Sequence, residues 1–178
     1  MNNRMIHAMG ALAVASLLPM SPARSFAAKE QPSDSDDLLE FGPDHTPKVL
    51  EELKEAGLPD PGSNPQTLND LAYKALYVEN DTAKALKILR WNLTLMADRM
   101  PDFSPVLMDS CAEGNVIAGN RDKAISLWTR ALGTTSDLRS SIPDIADHLA
   151  KLKADPKHLA EMQRQFRAAW AAAHGGVQ

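Results

Sequence analysis

SPVLMDSCAEGNVIAGNRDKAISLWTRALG, residues 104–133, is the stretch from which the fold is read. It spells two antiparallel helices joined by a tight turn at Gly119-Asn120. Small residues, Cys111, Ala112 and Gly114, sit at the centre of the first helix and let a neighbouring helix come close. Ala124, Ile125, Trp128, Ala131 and Leu132 repeat along the second at the spacing of one helical face. One such hairpin cannot bury its apolar face alone. It needs a copy of itself, or a cap, beside it.

A copy lies upstream, in LNDLAYKALYVENDTAKALKILRWNLTL, residues 68–95. Leu71-Ala72 answers Cys111-Ala112, Asn80-Asp81 answers Gly119-Asn120, Ala85-Leu86 answers Ala124-Ile125, and Leu89 answers Trp128. Leu71 to Ala85 is 14 residues and Cys111 to Ala124 is 13, so the first unit carries one extra residue, expected in its turn. The helix over 82–96 has two apolar stripes. Ala85, Leu86, Leu89, Leu93 and Met96 form one, and Ile88, Trp91 and Leu95 the other. A helix apolar on two flanks must be covered on both, as in a stacked array.

These residues resemble the tetratricopeptide repeat over about 66–133. Ala112 stands at the small position of the first helix, followed by the turn Gly119-Asn120-Arg121-Asp122, then Lys123-Ala124-Ile125 and Ala131-Leu132. The first unit departs from the pattern, with Ala72 where glycine is usual. The likeness is closest to degenerate repeat pairs at the C-terminus of some secreted bacterial serine hydrolases, whose catalytic domain is absent from this sequence. The resemblance implies an all-α fold of stacked antiparallel helical hairpins, an α-solenoid of about two to three repeats with a C-terminal capping helix. It also implies a protein or peptide partner, held on the concave face made by the first helices.

Four helix starts use one device. Thr46-Pro47, Asn64-Pro65, Ser104-Pro105 and Asp155-Pro156 each set a capping side chain before a proline, whose missing N–H had no helical partner there. Gly57, Gly133 and Gly175 suit C-terminal caps. The expected helices are 47–56, 66–78, 82–96, 105–118, 121–132, 143–153 and 156–173, with loops at 57–64 and 97–103. No stretch alternates apolar and polar residues for long, so no sheet is expected. In 143–153, Ile145, Leu149 and Leu152 continue a face begun by Ile142. In 156–173, Leu159, Met162, Phe166, Ala169, Trp170 and Ala173 make a narrow stripe. That pattern suits a cap on the array first, with a homodimer seam as the alternative. A membrane-surface helix fits less well, because its polar face carries both signs.

Residues 1–27 read as a cleavable secretory signal: Arg4 is a basic start, Ala8 to Met20 an apolar run too short to span a membrane, and Ser25-Phe26-Ala27 a cleavage site. The expected location is periplasmic or secreted, with no stable membrane insertion after cleavage. Residues 28–45 are acidic and polar and read as a disordered arm, and 46–178 as the helical repeat domain. Of the 19 basic residues, Arg4 and Arg24 leave with the signal, so 17 face 23 acids and the mature chain carries −6. That balance argues against nucleic acid. The single cysteine, Cys111, excludes an intrachain disulfide and suits a buried helix contact.

The sequence carries no nucleophile elbow, zinc-protease motif, phosphate loop or dinucleotide fingerprint. His45, His148, His158 and His174 lack metal-ligand spacing, and Met96, Met100 and Met108 fit core contacts as well as a soft-metal site. No metal, cofactor or catalytic residue is assigned. Asn92-Leu93-Thr94 fits a glycosylation acceptor but falls inside an expected helix.

Carried onto this chain, the resemblance places the recognition face at Asn69, Tyr73 and Tyr77 in the first unit and Asp109, Glu113 and Val116 in the second. The tyrosines, four apart, would form a flat wall with polar tips, and the two acids would favour a basic segment. The alternative is that the tyrosines pack into the array or under the acidic arm and the acids are a solvated face. Two functions compete: a scaffold that binds a protein or peptide, and an accessory subunit or small enzyme with a site scattered in sequence. A cleft with a perturbed carboxylate and histidine would favour the enzyme.

Overall fold

A computed structural model describes residues 45–134 and 144–175. The expected signal, nearly all of the acidic arm, and Ile142 lie outside the described residues. The rest is all-helical: α1 is Thr46–Glu55, α2 Gln66–Tyr73, α3 Thr82–Arg99, α4 Ser104–Ala118, α5 Arg121–Thr134, α6 Ile145–Ala154 and α7 His158–Ala173. Among the described residues there is no strand.

Successive helices pack side by side, α2 on α3, α3 on α4 and α4 on α5. The central helix α4 has eleven of its fifteen residues buried, which explains its small side chains. A Cβ added at Gly114 would meet Leu89 Cδ1 at 2.8 Å and Leu86 Cδ2 at 3.2 Å, so the leucine side chains of α3 pack directly on the α4 backbone. Both stripes of α3 are covered: Leu89, Leu93 and Met96 on one, Ile88, Trp91 and Leu95 on the other, all within 2% of full burial. Two tryptophans tie helices together through acids. Trp91 Nε1 donates to Glu52 Oε2 at 2.7 Å, holding α1 on α3. Trp128 Nε1 donates to Asp109 Oδ1 at 2.7 Å, holding α5 on α4. Arg121 donates from Nε and Nη2 to the Leu152 carbonyl at 3.0 and 2.5 Å, satisfying the end of α6.

The turns match as expected: Asn80 and Gly119 both sit at positive φ, +54° and +85°. The extra residue of the first unit is elsewhere. It is absorbed in a π-helical turn, Lys74–Val78, at the end of α2. One inserted residue widens a helix this way, and the wider turn closes with Glu79 N–H on the Lys74 carbonyl.

Several boundaries differ from the sequence reading. Asn64 Oδ1 accepts from Gln66 N–H at 3.1 Å and Asp155 Oδ1 from Lys157 N–H at 2.8 Å, but Thr46 and Ser104 do not cap. Thr46 instead gives its hydroxyl to Asp98 Oδ2 at 3.2 Å. A short 3₁₀ turn, Pro101–Phe103, runs straight into α4 and already supplies a carbonyl to the Ser104 amide. Gly133 lies inside α5, which continues to Thr134, whereas Gly57 and Gly175 take the expected positive φ. Helix α3 passes Met96 and ends at Arg99, because nothing in Ala97-Asp98-Arg99 breaks a helix before Pro101. There Arg99 Nη1 binds Asp60 Oδ1 at 2.6 Å and the Gly62 carbonyl at 2.8 Å, fastening the loop after α1.

Candidate functional site

Tyr73 ends α2 and Tyr77 lies in the π turn that follows. Their rings tilt together with centroids 5.8 Å apart. Glu113, on α4, stands opposite and accepts from both phenols: from the Tyr73 hydroxyl at 2.8 Å on Oε2 and from Tyr77 on Oε1. Burial pushes the Glu113 carboxyl above its ordinary value, while the two phenol bonds pull it back. Burial, then the facing Glu113 charge, raises both phenols, so they stay donors at any physiological pH.

One turn back on α4, Asp109 lies beside the core. Burial pushes its carboxyl up to about 6, against the stabilising bond from Trp128. His148 of α6 contacts the Trp128 ring at 5.6 Å and meets Phe166 of α7 edge-on at 5.2 Å. Burial holds its imidazole below the ordinary value, with Asp109 working the other way.

Helix α7 covers this face. Trp170 stacks on Tyr77 with centroids 4.9 Å apart and planes within 10°, and on Tyr73 at 5.7 Å. His174 stacks on the outer side of Trp170 at 3.6 Å. Gln163 Nε2 donates to the Val116 and Ile117 carbonyls at 2.8 and 3.3 Å, closing the C-terminal end of α4. Arg167 Nη1 reaches Asn80 Oδ1 at 3.4 Å. The narrow stripe of α7 is therefore used within the chain by Met162, Phe166 and Trp170, while Ala169 and Ala173 face solvent.

The structure brings together four of the six residues expected on the recognition face: Tyr73, Tyr77, Asp109 and Glu113. Their polar atoms bind one another, Trp128 and the core rather than open water. Val116 is fully buried and belongs to the core, because α7 lies over that end of α4. Asn69 is partly exposed, and its Oδ1 is buried without a donor among the described residues. The sequence reading missed His148, Phe166 and Trp170 as members of this face. The spacing of Phe166 and Trp170, four apart on a narrow stripe, was the only local signal, and it names no docking partner.

Other candidates fall into the core. Cys111 is buried and its thiol is pushed up to about 12. Met96 and Met108 are buried in the core and Met100 packs against that core. Asn92 is wholly buried, its Nδ2 giving a bond to the Pro65 carbonyl, so it offers no glycosylation site in the folded chain. Among the described residues no helix is long and apolar enough to cross a membrane. Comparison with family models, curated proteins and solved structures returns no match.

Proposed function

We propose that this chain is an exported interaction module of the tetratricopeptide-like kind, and that the face of α2 and α4 holds a protein or peptide partner. The observation that carries the reading is the stack of Trp170 on Tyr73 and Tyr77 above Glu113. This face already grips an amphipathic helix by its aromatic side chains, which is a recurring mode of peptide recognition. The paired turns at Asn80 and Gly119 and the close approach at Gly114 support the repeat. The apolar run and cleavage pattern of residues 1–27 support export. The test is capture of envelope proteins by wild type and by a Tyr73→Ala, Glu113→Lys double variant shown by circular dichroism to be folded. The variant is expected to lose the captured partner, and equal capture would move the site elsewhere.

One observation favours an enzyme instead. Asp109, with a carboxyl raised to about 6, interacts with His148, whose imidazole burial holds below its ordinary value, and such a pair suits proton transfer. Hydrolysis of a generic chromogenic ester or peptide that Asp109→Asn abolishes would establish this second reading.

A further inference from the structure

The α2–α4 face is covered by the chain's own helix α7. Helix α7 is weakly held for an element that covers a site. Met162 is its only buried residue among sixteen, against eleven of fifteen in α4. Most residues from Arg167 onward are exposed. Only Asp155, Pro156 and Lys157 join it to α6, and the last two are exposed. Elements with few buried contacts are the first to open.

What α7 leaves unsatisfied points to a better occupant. Glu113 and Asp109 are held by neutral donors, two phenols and an indole, so the charge on each is shared but not balanced. One turn further, at the negative end of α4, the Ile117 carbonyl accepts from the neutral amide of Gln163, and the Val116 carbonyl accepts from that amide and from the Gly119 N–H, with no cation at either. A cation at that place would form charge-assisted bonds to these carbonyls and favour the helix end.

We propose that α7 is an exchangeable self-ligand, and that the α2–α4 face takes in its place an amphipathic helix of another protein. That helix carries two aromatic residues four apart and a Lys or Arg three residues before the first of them. The aromatic pair replaces Phe166 and Trp170, and the cation replaces Gln163. This inference rests on the interaction reading and adds the class of partner and the way the site is kept closed.

The probe is a fluorescent peptide of residues 156–175, with a second peptide differing by Gln163→Arg. Each is titrated against the full mature chain and against a Phe166→Ala, Trp170→Ala variant whose own helix is loosened. The loosened chain is expected to bind the first peptide about tenfold or more tighter than wild type does, because it removes the competing occupant. The Gln163→Arg peptide is expected to bind about threefold or more tighter than its parent. Equal affinity for the two proteins, or no gain from arginine, overturns the proposal. Hydrogen exchange on the wild-type chain gives an independent reading: α7 amides are expected to exchange about tenfold or more faster than those of α3 and α4. Equal protection overturns exchange. A wild-type dimer dissociated by the peptide would make the occupant a second copy and overturn the foreign helix. If exchange fails while the Tyr73→Ala, Glu113→Lys variant still loses its partner, the face binds beside α7 and the interaction reading stands without the exchange.

Discussion

Asp109 makes the pH behaviour of the fold readable at one residue. Its carboxyl is raised from 3.8 to about 6 in the folded chain, so the folded state binds this proton more tightly than the unfolded state. Its contribution therefore favours folding at low pH and is lost as pH rises through 6. Asp109→Asn cannot ionise, and its side-chain oxygen still accepts the Trp128 bond. The variant is expected to be about 1–3 kcal/mol more stable than wild type above pH 7. The gain should shrink through pH 6 and vanish below about pH 4, as urea titrations along that range would record. His148 works in the opposite sense. Its lowered value means the folded state resists protonation, so its part of the stability is lost as pH falls below its ordinary 6.5. Cys111 gives a second test at this scale. A buried thiol pushed up to about 12 is inert, so Ellman's reagent should label it only with unfolding. Fast labelling of the native chain would show that α4 opens locally.

At the scale of elements, the seam between α3 and α4 holds the fold. Leu89 is 1% exposed and rests against Gly114. Leu89→Ala should cost roughly 2–5 kcal/mol, and a loss below about 0.5 kcal/mol would place the residue outside the core. Gly114→Val tests the same seam from the other side. Its added carbons meet the methyl ends of Leu89 and Leu86, which must shift in a packed seam, at about 1–3 kcal/mol by chemical denaturation. A neutral result would mean the leucines repack freely. The π turn of α2 is also an element-scale feature. Counting residues between the aligned alanines located one extra residue, but not its place. A π turn and a longer loop have the same length in sequence, and only the hydrogen bonds of Glu79 and Asp81 back to Lys74 and Ala75 distinguish them.

At the scale of the whole molecule, the expectation that reaches furthest is export. Protein taken from the periplasm is expected to begin near Ala28, and intact mass measures this directly. A full-length chain in the cytosol would remove both the signal and the compartment. The acidic balance expected of a mature chain, −6 if Arg4 and Arg24 leave with the signal, suits the proposed basic partner helix. Added salt should therefore weaken capture by reducing long-range attraction, while leaving the aromatic contacts in place.

Local rules determined much of this protein from the sequence alone. The helices among the described residues, the matched turns at Asn80 and Gly119, the small centre of α4 and both stripes of α3 depend on residues a few positions apart, and spacing along one chain records such contacts. Spacing paired Tyr73 with Tyr77 and Asp109 with Glu113, and the family resemblance, not local spacing, put the two pairs on one face. Only the tertiary structure decided what lies on that face. The stripe of α7 read first as a cap and second as a dimer seam, since an apolar stripe specifies that it must be covered and not by what. Trp170 stands 97 residues beyond Tyr73. Its stacking there, the burial of Val116 beneath α7 and the rise of Asp109 all follow from how distant helices dock, and docking depends on the shape and desolvation of both surfaces together.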